Sequence, residues 1–252
     1  MRIGSLFSGI GGLELGLERA RVGRTIWQAE SDPFCRSVLA RHWPQAHRLE
    51  DVRDVSPRTV ERVDLICGGF PCQDVSVAGK GAGLDGERSG LWREFARVID
   101  ECGPAFVIVE NVAHGRGRWL PRVLADLSAL GYVPAPLTVS AGDVGAPHAR
   151  ARTFVIADTD GLAVRYLEQW GSPRRAQGVR PAGQGVALDA SASRGPPIPP
   201  AWITPPDVDR MGDGLSPGLD RARLRALGNA VVPQVAQAVG LVLLASRANL
   251  IL

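Results

Sequence analysis

Ile3-Gly4-Ser5-Leu6-Phe7-Ser8-Gly9-Ile10-Gly11-Gly12-Leu13-Glu14-Leu15-Gly16-Leu17-Glu18 reads as a first strand over Ile3 to Phe7, a glycine turn, and an amphipathic helix carrying Leu13, Leu15 and Leu17. A strand, a glycine turn and a helix in that order make a corner for a nucleotide-type ligand. Glycine lets a ligand approach the backbone, and the helix start offers free N–H groups. The spacing departs from the dinucleotide fingerprint, because Glu14 stands where a third glycine is required. A turn that is merely tight is the competing reading.

Working outward, Thr25 to Ala29 reads as a second strand ending on Glu30. Glu30 lies about 20 residues beyond the glycines, where folds of this kind hold the ribose hydroxyls with an acid. Asp32-Pro33 opens a helix through Val38, Leu39 and His42, and a short strand near Ala46 to Leu49 ends at Glu50-Asp51. An acid at that strand end is placed to meet an adenine amino group. The plainer alternatives are a helix cap for Glu30 and a solvated turn carboxylate for Asp51.

Val63 to Cys67 forms the next apolar run, closed by Gly68-Gly69-Phe70-Pro71-Cys72-Gln73. Pro71 fixes the backbone just before Cys72, and the residues after it are small and polar, so the sulfur is expected to face a cleft. Only a thiolate attacks, and it needs a helix N-terminus or a cation nearby. Against this stands a free cysteine filling a core gap, the role expected of Cys35, Cys67 and Cys102. Val77 to Arg88 is glycine-rich and charged, which suits a mobile lid or a plain surface connection.

A helix with Leu91, Phe95, Val98 and Ile99 on one face follows, stopped by Pro104. Phe106 to Val109 is a buried strand ending on Glu110-Asn111-Val112, and a carboxylate there sits where α/β sheets keep ligands. A helix is expected from about Trp119 to Leu130 with Pro121 near its start and Gly131 beyond its end, then a strand from Tyr132 to Ser140. Alternation along Pro147 to Arg152 is expected to put His148, Arg150 and Arg152 on one face before a last strand, Thr153 to Ala157. One of these arginines is the cation the thiolate needs; a basic edge strand is the alternative.

From Asp158 to about Pro206 glycine, proline, serine and arginine dominate and periodicity fails. Five arginines stand against Glu168 and Asp189 between Val164 and Pro200, which suits either a phosphate-contacting insert or a linker. Order returns near Leu215, Asp220 and Leu224, and Gly228-Asn229-Ala230-Val231-Val232-Pro233 leads into an apolar helix over Ala230 to Ala245, too short to span a bilayer comfortably. With 252 residues the chain suits one large α/β domain with a small appendage. The net charge of +3 does not by itself establish a nucleic-acid partner, although arginine far outnumbers the single lysine, Lys80. Four cysteines and no secretory leader point to reduced thiols in the cytoplasm, no membrane role is indicated, and the cysteines and histidines lack metal-ligand spacing.

Phe7-Ser8-Gly9-Ile10-Gly11-Gly12, Pro71-Cys72-Gln73, Glu110-Asn111-Val112, Arg150-Ala151-Arg152 and Gly228 to Pro233, in that order, resemble the DNA cytosine-5 methyltransferases of prokaryotes and phages. The likeness covers about 1–157 and 210–240. It implies a doubly wound mixed α/β sheet of Rossmann-like type. On that basis 1–157 is a catalytic and cofactor-binding domain, 158–209 a short irregular target-recognition insert, and 210–252 a segment returning to the catalytic domain. It also implies S-adenosyl-L-methionine as cofactor, yielding S-adenosyl-L-homocysteine, with Phe7, Ser8, Gly9, Gly11, Glu30, Asp51, Val52, Leu91, Asn229 and Ala230 at its site. Cys72 would be the nucleophile, with Pro71, Glu110, Asn111, Arg150 and Arg152 around it and double-stranded DNA as substrate. A monomer, with or without a cognate restriction endonuclease, is the implied state. His148 replaces the family's usual glutamine, Ser31 follows Glu30 where a bulky stacking residue is common, and the target-recognition region is short and poor in aromatics. A tRNA cytosine methyltransferase of the same fold and a DNA-binding relative with weak activity are the alternatives, with a nicotinamide oxidoreductase behind them.

Overall fold

Burial is nearly continuous along the central strands, so the sheet carries apolar side chains on both faces and is covered on both. The structure, a computed structural model, describes residues 1–71, 90–114, 116–171 and 217–248. Among the described residues seven strands, β1 (Arg2–Leu6), β2 (Arg24–Ala29), β3 (His47–Leu49), β4 (Leu65–Gly69), β5 (Phe106–Val112), β6 (Val133–Ser140) and β7 (Ala151–Asp158), form one sheet. Its order is β3-β2-β1-β4-β5-β7-β6. The first five pair in parallel, and β7 lies antiparallel between β5 and β6, so β7 alone runs against the rest. The mixed, doubly wound α/β sheet expected from the sequence is what the chain forms.

Leu65 and Cys67 of β4, with Phe106 and Ile108 of β5, enter a core shared with α1 (Gly12–Arg19), α5 (Leu162–Gly171) and α7 (Pro233–Ala248). Ile66, Val107 and Val109 enter a second core on the other face, with α3 (Gly90–Cys102) and α4 (Arg116–Ala129). Phe70, Trp92, Phe95 and Trp119 meet there with ring centroids 5.4–5.9 Å apart. Burying a side chain of phenylalanine size contributes about 1.5–3 kcal/mol. The Trp119 indole donates to the Val112 carbonyl at 3.2 Å, fixing the end of β5 to α4.

Among the described residues the remaining α-helices are α2 (Pro33–His42), capped by Asp32, and α6 (Pro217–Asn229). Close approach of α1 and α7 depends on missing side chains. A Cβ on Gly16 would fall 2.4 Å from the Ala236 Cβ, and one on Gly12 would fall 2.1 Å from the Val231 carbonyl oxygen. Thus α7 locks the 230–232 turn against the glycine corner. By length and composition the stretch Arg221–Ala248 is long and apolar enough to cross a membrane. It is broken between α6 and α7, and Val235, Ala236, Val239 and Leu243 of α7 are buried in the first core.

Four local expectations are corrected. The strand near Ala46 to Leu49 begins only at His47. Helix α4 begins at Arg116, not Trp119, so Pro121 lies inside it; its first turn is arginine and glycine without apolar periodicity, and only Trp119 announces it. Residues 147–150 are not a strand, because β7 pairs with β6 only as far as Ala151 opposite Ser140; beyond it the Ala141 N–H still donates to the Arg150 carbonyl at 3.2 Å, and the chain after Ala141 then turns away into Gly142–Val144. Periodicity does not end at Asp158, whose carboxylate accepts from the N–H groups of Leu162 and Ala163 at 2.8 and 3.1 Å and starts α5. Leu162 and Ala163 belong to the first core, so the described domain continues to Gly171. Residues 172–216, which hold most of the expected insert, lie outside the described residues.

Candidate active site

The C-terminal ends of the five parallel strands open on a cleft of about 700 Å³. Strand order reverses between β1 and β4, and at such a switch point the adjacent loops diverge and leave a crevice. Of the residues expected at the site, Phe7, Gly9, Glu30, Asp51, Val52, Leu91 and Asn229 line it, together with Pro71, Glu110, Asn111 and Arg152. The sequence placed these along more than two hundred positions; the sheet gathers them on one edge.

At the β1 end the backbone turns sharply. Phe7 has φ 55°, a conformation costly for a bulky residue and found where a surrounding site enforces it. Ser8 N–H donates to the Ala29 carbonyl at 3.2 Å, and its hydroxyl to the Ser5 hydroxyl at 3.0 Å. Gly9, φ 56°, has among the described residues no heavy atom within 4 Å of where a Cβ would stand, and it lines the cleft. Gly11 does not line the cleft: a Cβ there would strike the Trp43 ring, and its φ of 85° serves the turn into α1.

The Glu30 carboxylate accepts from the Gly9 N–H at 2.7 Å and from the Asp32 N–H at 2.8 Å. It stitches the first two strand ends together and still reaches the cleft. The helix cap considered for Glu30 falls to Asp32, whose Oδ1 accepts from Phe34 and Cys35 N–H. Asp51 caps the short turn Val52–Asp54 through Arg53 N–H at 2.9 Å.

The other half of the cleft is built on β4 and β5. Gly69 pairs with Glu110 in register, and a Cβ on Gly69 would lie 2.4 Å from Glu110 Oε2. The double glycine therefore makes room for that carboxylate. Asn111 donates to the Phe70 carbonyl at 3.2 Å, holding the turn that leads to Pro71. Cys72, the next residue, lies outside the described residues, as does the lid expected over Val77 to Arg88.

Arg152 Nε lies 2.9 Å from Glu110 Oε1. Burial pushes the Glu110 carboxyl up to about 7, against the pull of the Arg152 and then the Arg150 guanidinium. Arg150 turns elsewhere: its Nη2 donates to the carbonyls of Gly228 and Ala230 at 2.6 and 3.0 Å. It fastens the C-terminal turn over the cleft, and burial followed by repulsion from Arg152 lowers its pKa. His148 is exposed and does not line the cleft. Ser8 and Ala230 line a smaller chamber behind it.

Sequence reading missed Gly69, Asp32, Cys35 and Arg225 as cleft residues. The glycine pair was a usable signal for the first. Arg225 pairs with Asp32 at 3.1 Å across 193 positions, and nothing local announces that contact.

Several likenesses bear on this geometry. The chain is 37% identical over 165 residues to the Type II methyltransferase M2.BsuMI of Bacillus subtilis, covering 62% of this chain and 42% of that one. It is 30% identical over 172 residues to the Type II methyltransferase M.HhaI of Haemophilus parahaemolyticus, covering 67% and 52%. The chain thus spans about half the length of the curated relatives it matches. Among solved structures it resembles an E. coli prophage protein described as a DNA modification methyltransferase, with TM-score 0.51 and 28% identity over 64% of this chain and 47% of that one. Spodoptera frugiperda DNMT2, TM-score 0.54 over 64% and 50%, is 20% identical and shares the fold. The family model for C-5 cytosine-specific DNA methylase matches residues 1–178, and with the cleft residues above this places the chain in the C-5 cytosine-specific DNA methylase family.

Proposed function

We propose that the chain methylates C5 of cytosine in double-stranded DNA, with S-adenosyl-L-methionine as donor and Cys72 as nucleophile. The observation that carries this reading is Glu110, a buried carboxyl held near a pKa of about 7 and joined to Arg152 in the same cleft as the glycine corner. A carboxyl that keeps its proton near neutral pH can donate it to a ring nitrogen and accept from an exocyclic amine.

The cofactor fits the residues present. The open space above Gly9 accepts a ligand against backbone, Phe7 offers an aromatic face, and Glu30 and Asp51 offer acceptors for hydroxyl and amino groups. Leu91 and Asn229 would complete the pocket. When bound, S-adenosyl-L-methionine supplies an electrophilic methyl group.

Cytosine C5 is not nucleophilic until C6 carries an added group. The Cys72 thiolate would add to C6 while Glu110 holds N3 and N4 and offsets the charge that develops in the ring. After C5 has gained the methyl, loss of its proton expels the thiolate and restores the ring. Arg152 would steady the Glu110 carboxyl, and Asn111 the turn carrying Pro71. Because C5 is stacked within the duplex, the base must be flipped out to reach Cys72. The same proposal describes a monomer acting in the cytoplasm, alone or beside a restriction endonuclease.

The test is methyl transfer from labelled S-adenosyl-L-methionine to unmethylated duplex DNA, with bisulfite sequencing and Cys72→Ala in parallel. Label at 5-methylcytosine, lost in Cys72→Ala, is expected. Label on tRNA with none on DNA would replace the substrate, and no label on either would overturn the reading.

A further inference from the structure

Behind the glycine corner lies a chamber of about 50 Å³. Gly9, Gly69, Glu110 and Asn229 line both it and the main cleft, so it is a side pocket of that cleft. Ser5 and Glu14 reach it from the core side. Glu14, the residue that breaks the glycine fingerprint, is 0% exposed, and among the described residues neither carboxylate oxygen has a hydrogen-bond partner. Ser5, Ser8 and Gln28 lie near enough to soften the effect of burial without forming a bond of proper length and angle. Among the described residues that line the chamber none is a cation.

A buried carboxylate without a partner is costly, and such groups either stay protonated or meet a positive charge. Burial raises the Glu14 pKa accordingly. The chamber has room for a few water-sized groups, since one water needs about 10–15 Å³ of this volume. It lies directly behind Ser8 and Gly9, where the proposed cofactor would lie against backbone.

We propose that Glu14 is the counter-charge for the α-ammonium group at the amino-acid end of the cofactor, received in the chamber behind Gly9. This rests on the reading of the cleft as a site for S-adenosyl-L-methionine. In the empty site Glu14 holds a proton; on entry of the ammonium that proton leaves to solvent and the carboxylate pairs with the cation. Binding therefore releases a proton, and affinity rises with pH. The titratable groups facing Glu14 are Cys67 on β4, whose thiol is pushed well above its usual range by burial, and Glu110 on β5, with Glu18 farther along α1. The Glu14 carboxylate is thus a positioning group for the methyl donor, at a distance from the reacting carbon.

The experiment is calorimetric titration of the full chain with S-adenosyl-L-homocysteine and with its analogue carrying hydrogen in place of the α-ammonium. Both are run in two buffers of different ionisation enthalpy. For the unaltered chain the deaminated analogue should bind about 10–100-fold more weakly, the range of a charge-assisted hydrogen bond. In Glu14→Gln, nearly isosteric with the protonated acid, the two ligands should agree within about threefold, because the neutral amide supplies no charge to the ammonium. Proton release should vanish in Glu14→Gln and persist in Glu110→Gln. Equal weakening of both ligands by Glu14→Gln would show a structural role and overturn the proposal, as would an unaltered chain that binds both alike or a proton release that survives Glu14→Gln. Failure of the unaltered chain to bind S-adenosyl-L-homocysteine would overturn the cofactor reading and this proposal with it.

Discussion

Glu30 and Glu110 are the same residue type at the same kind of place, the C-terminal end of a parallel strand, and the fold makes different reagents of them. Glu30 accepts from the N–H groups of Gly9 and Asp32 at 2.7 and 2.8 Å, so backbone donors hold it in one geometry. Glu110 is almost wholly buried beside two arginines, and its pKa is pushed up to about 7. Residue type and strand-end position leave the protonation state open. Their surroundings divide the roles: backbone N–H groups fix Glu30 as an acceptor in one geometry, whereas burial opposed by charged side chains makes Glu110 a group that can hold or release a proton near neutrality.

The comparison breaks most visibly at Glu110. In Glu110→Gln, methyl transfer at saturating substrates should fall by about 10²–10⁴-fold while cofactor affinity holds, as single-turnover rates and equilibrium dialysis would show. On the proposal that the protonated carboxyl is the working form, kcat/KM for DNA at saturating cofactor should decline in the unaltered chain as pH rises through about 7. The Arg152 guanidinium favours the ionised form, so in Arg152→Met that decline should move to higher pH. A flat profile in the unaltered chain would remove the proton-holding role.

Next in size is Gly69→Ala, whose methyl would lie 2.4 Å from Glu110 Oε2 and must displace it. Misplacement by about 1 Å costs on the order of 10²-fold in rate. The loss should appear in kcat, with the cofactor KM unchanged. An equal loss in both would locate the effect in folding.

Glu30→Gln sharpens the comparison from the other side. It weakens an acceptor of fixed backbone donors, so cofactor affinity should drop about tenfold, the size of a lost charged hydrogen bond, with kcat at saturation retained. A fall in kcat without a change in affinity would show that the two acids share a role.

Smallest is Arg225→Ala. Its pair with Asp32 is solvent-exposed on the arginine side, and such pairs contribute about 0–1 kcal/mol. Thermal melting should shift little, and a loss of several degrees would mean that α6 depends on this contact.

Much of the fold was legible because buried parallel strands read as continuous apolar runs, as in Val107, Ile108 and Val109. Glu30, Glu110 and Arg152 could be chosen as site residues because each stands at a strand end beside a glycine turn, an Asn-Val pair or an Ala-Arg repeat. Less legible was the division of labour between Arg150 and Arg152. Both occupy alternate positions in one short motif, yet one reaches Glu110 and the other the carbonyls of Gly228 and Ala230. Gly11 was equally deceptive, since a glycine needed for its own φ is indistinguishable in sequence from one needed by a ligand.

By itself the sequence determined the order of strands and helices, the glycine corner and the acids at the strand ends, because these follow from periodicity and from residues with special backbone preferences. Only the tertiary structure decided that Glu110 can keep its proton near neutrality, which arginine faces it, and that Arg225 meets Asp32. The physical reason is that burial and charge are set by neighbours distant in the chain, and a carboxyl group takes its chemistry from what surrounds it in space.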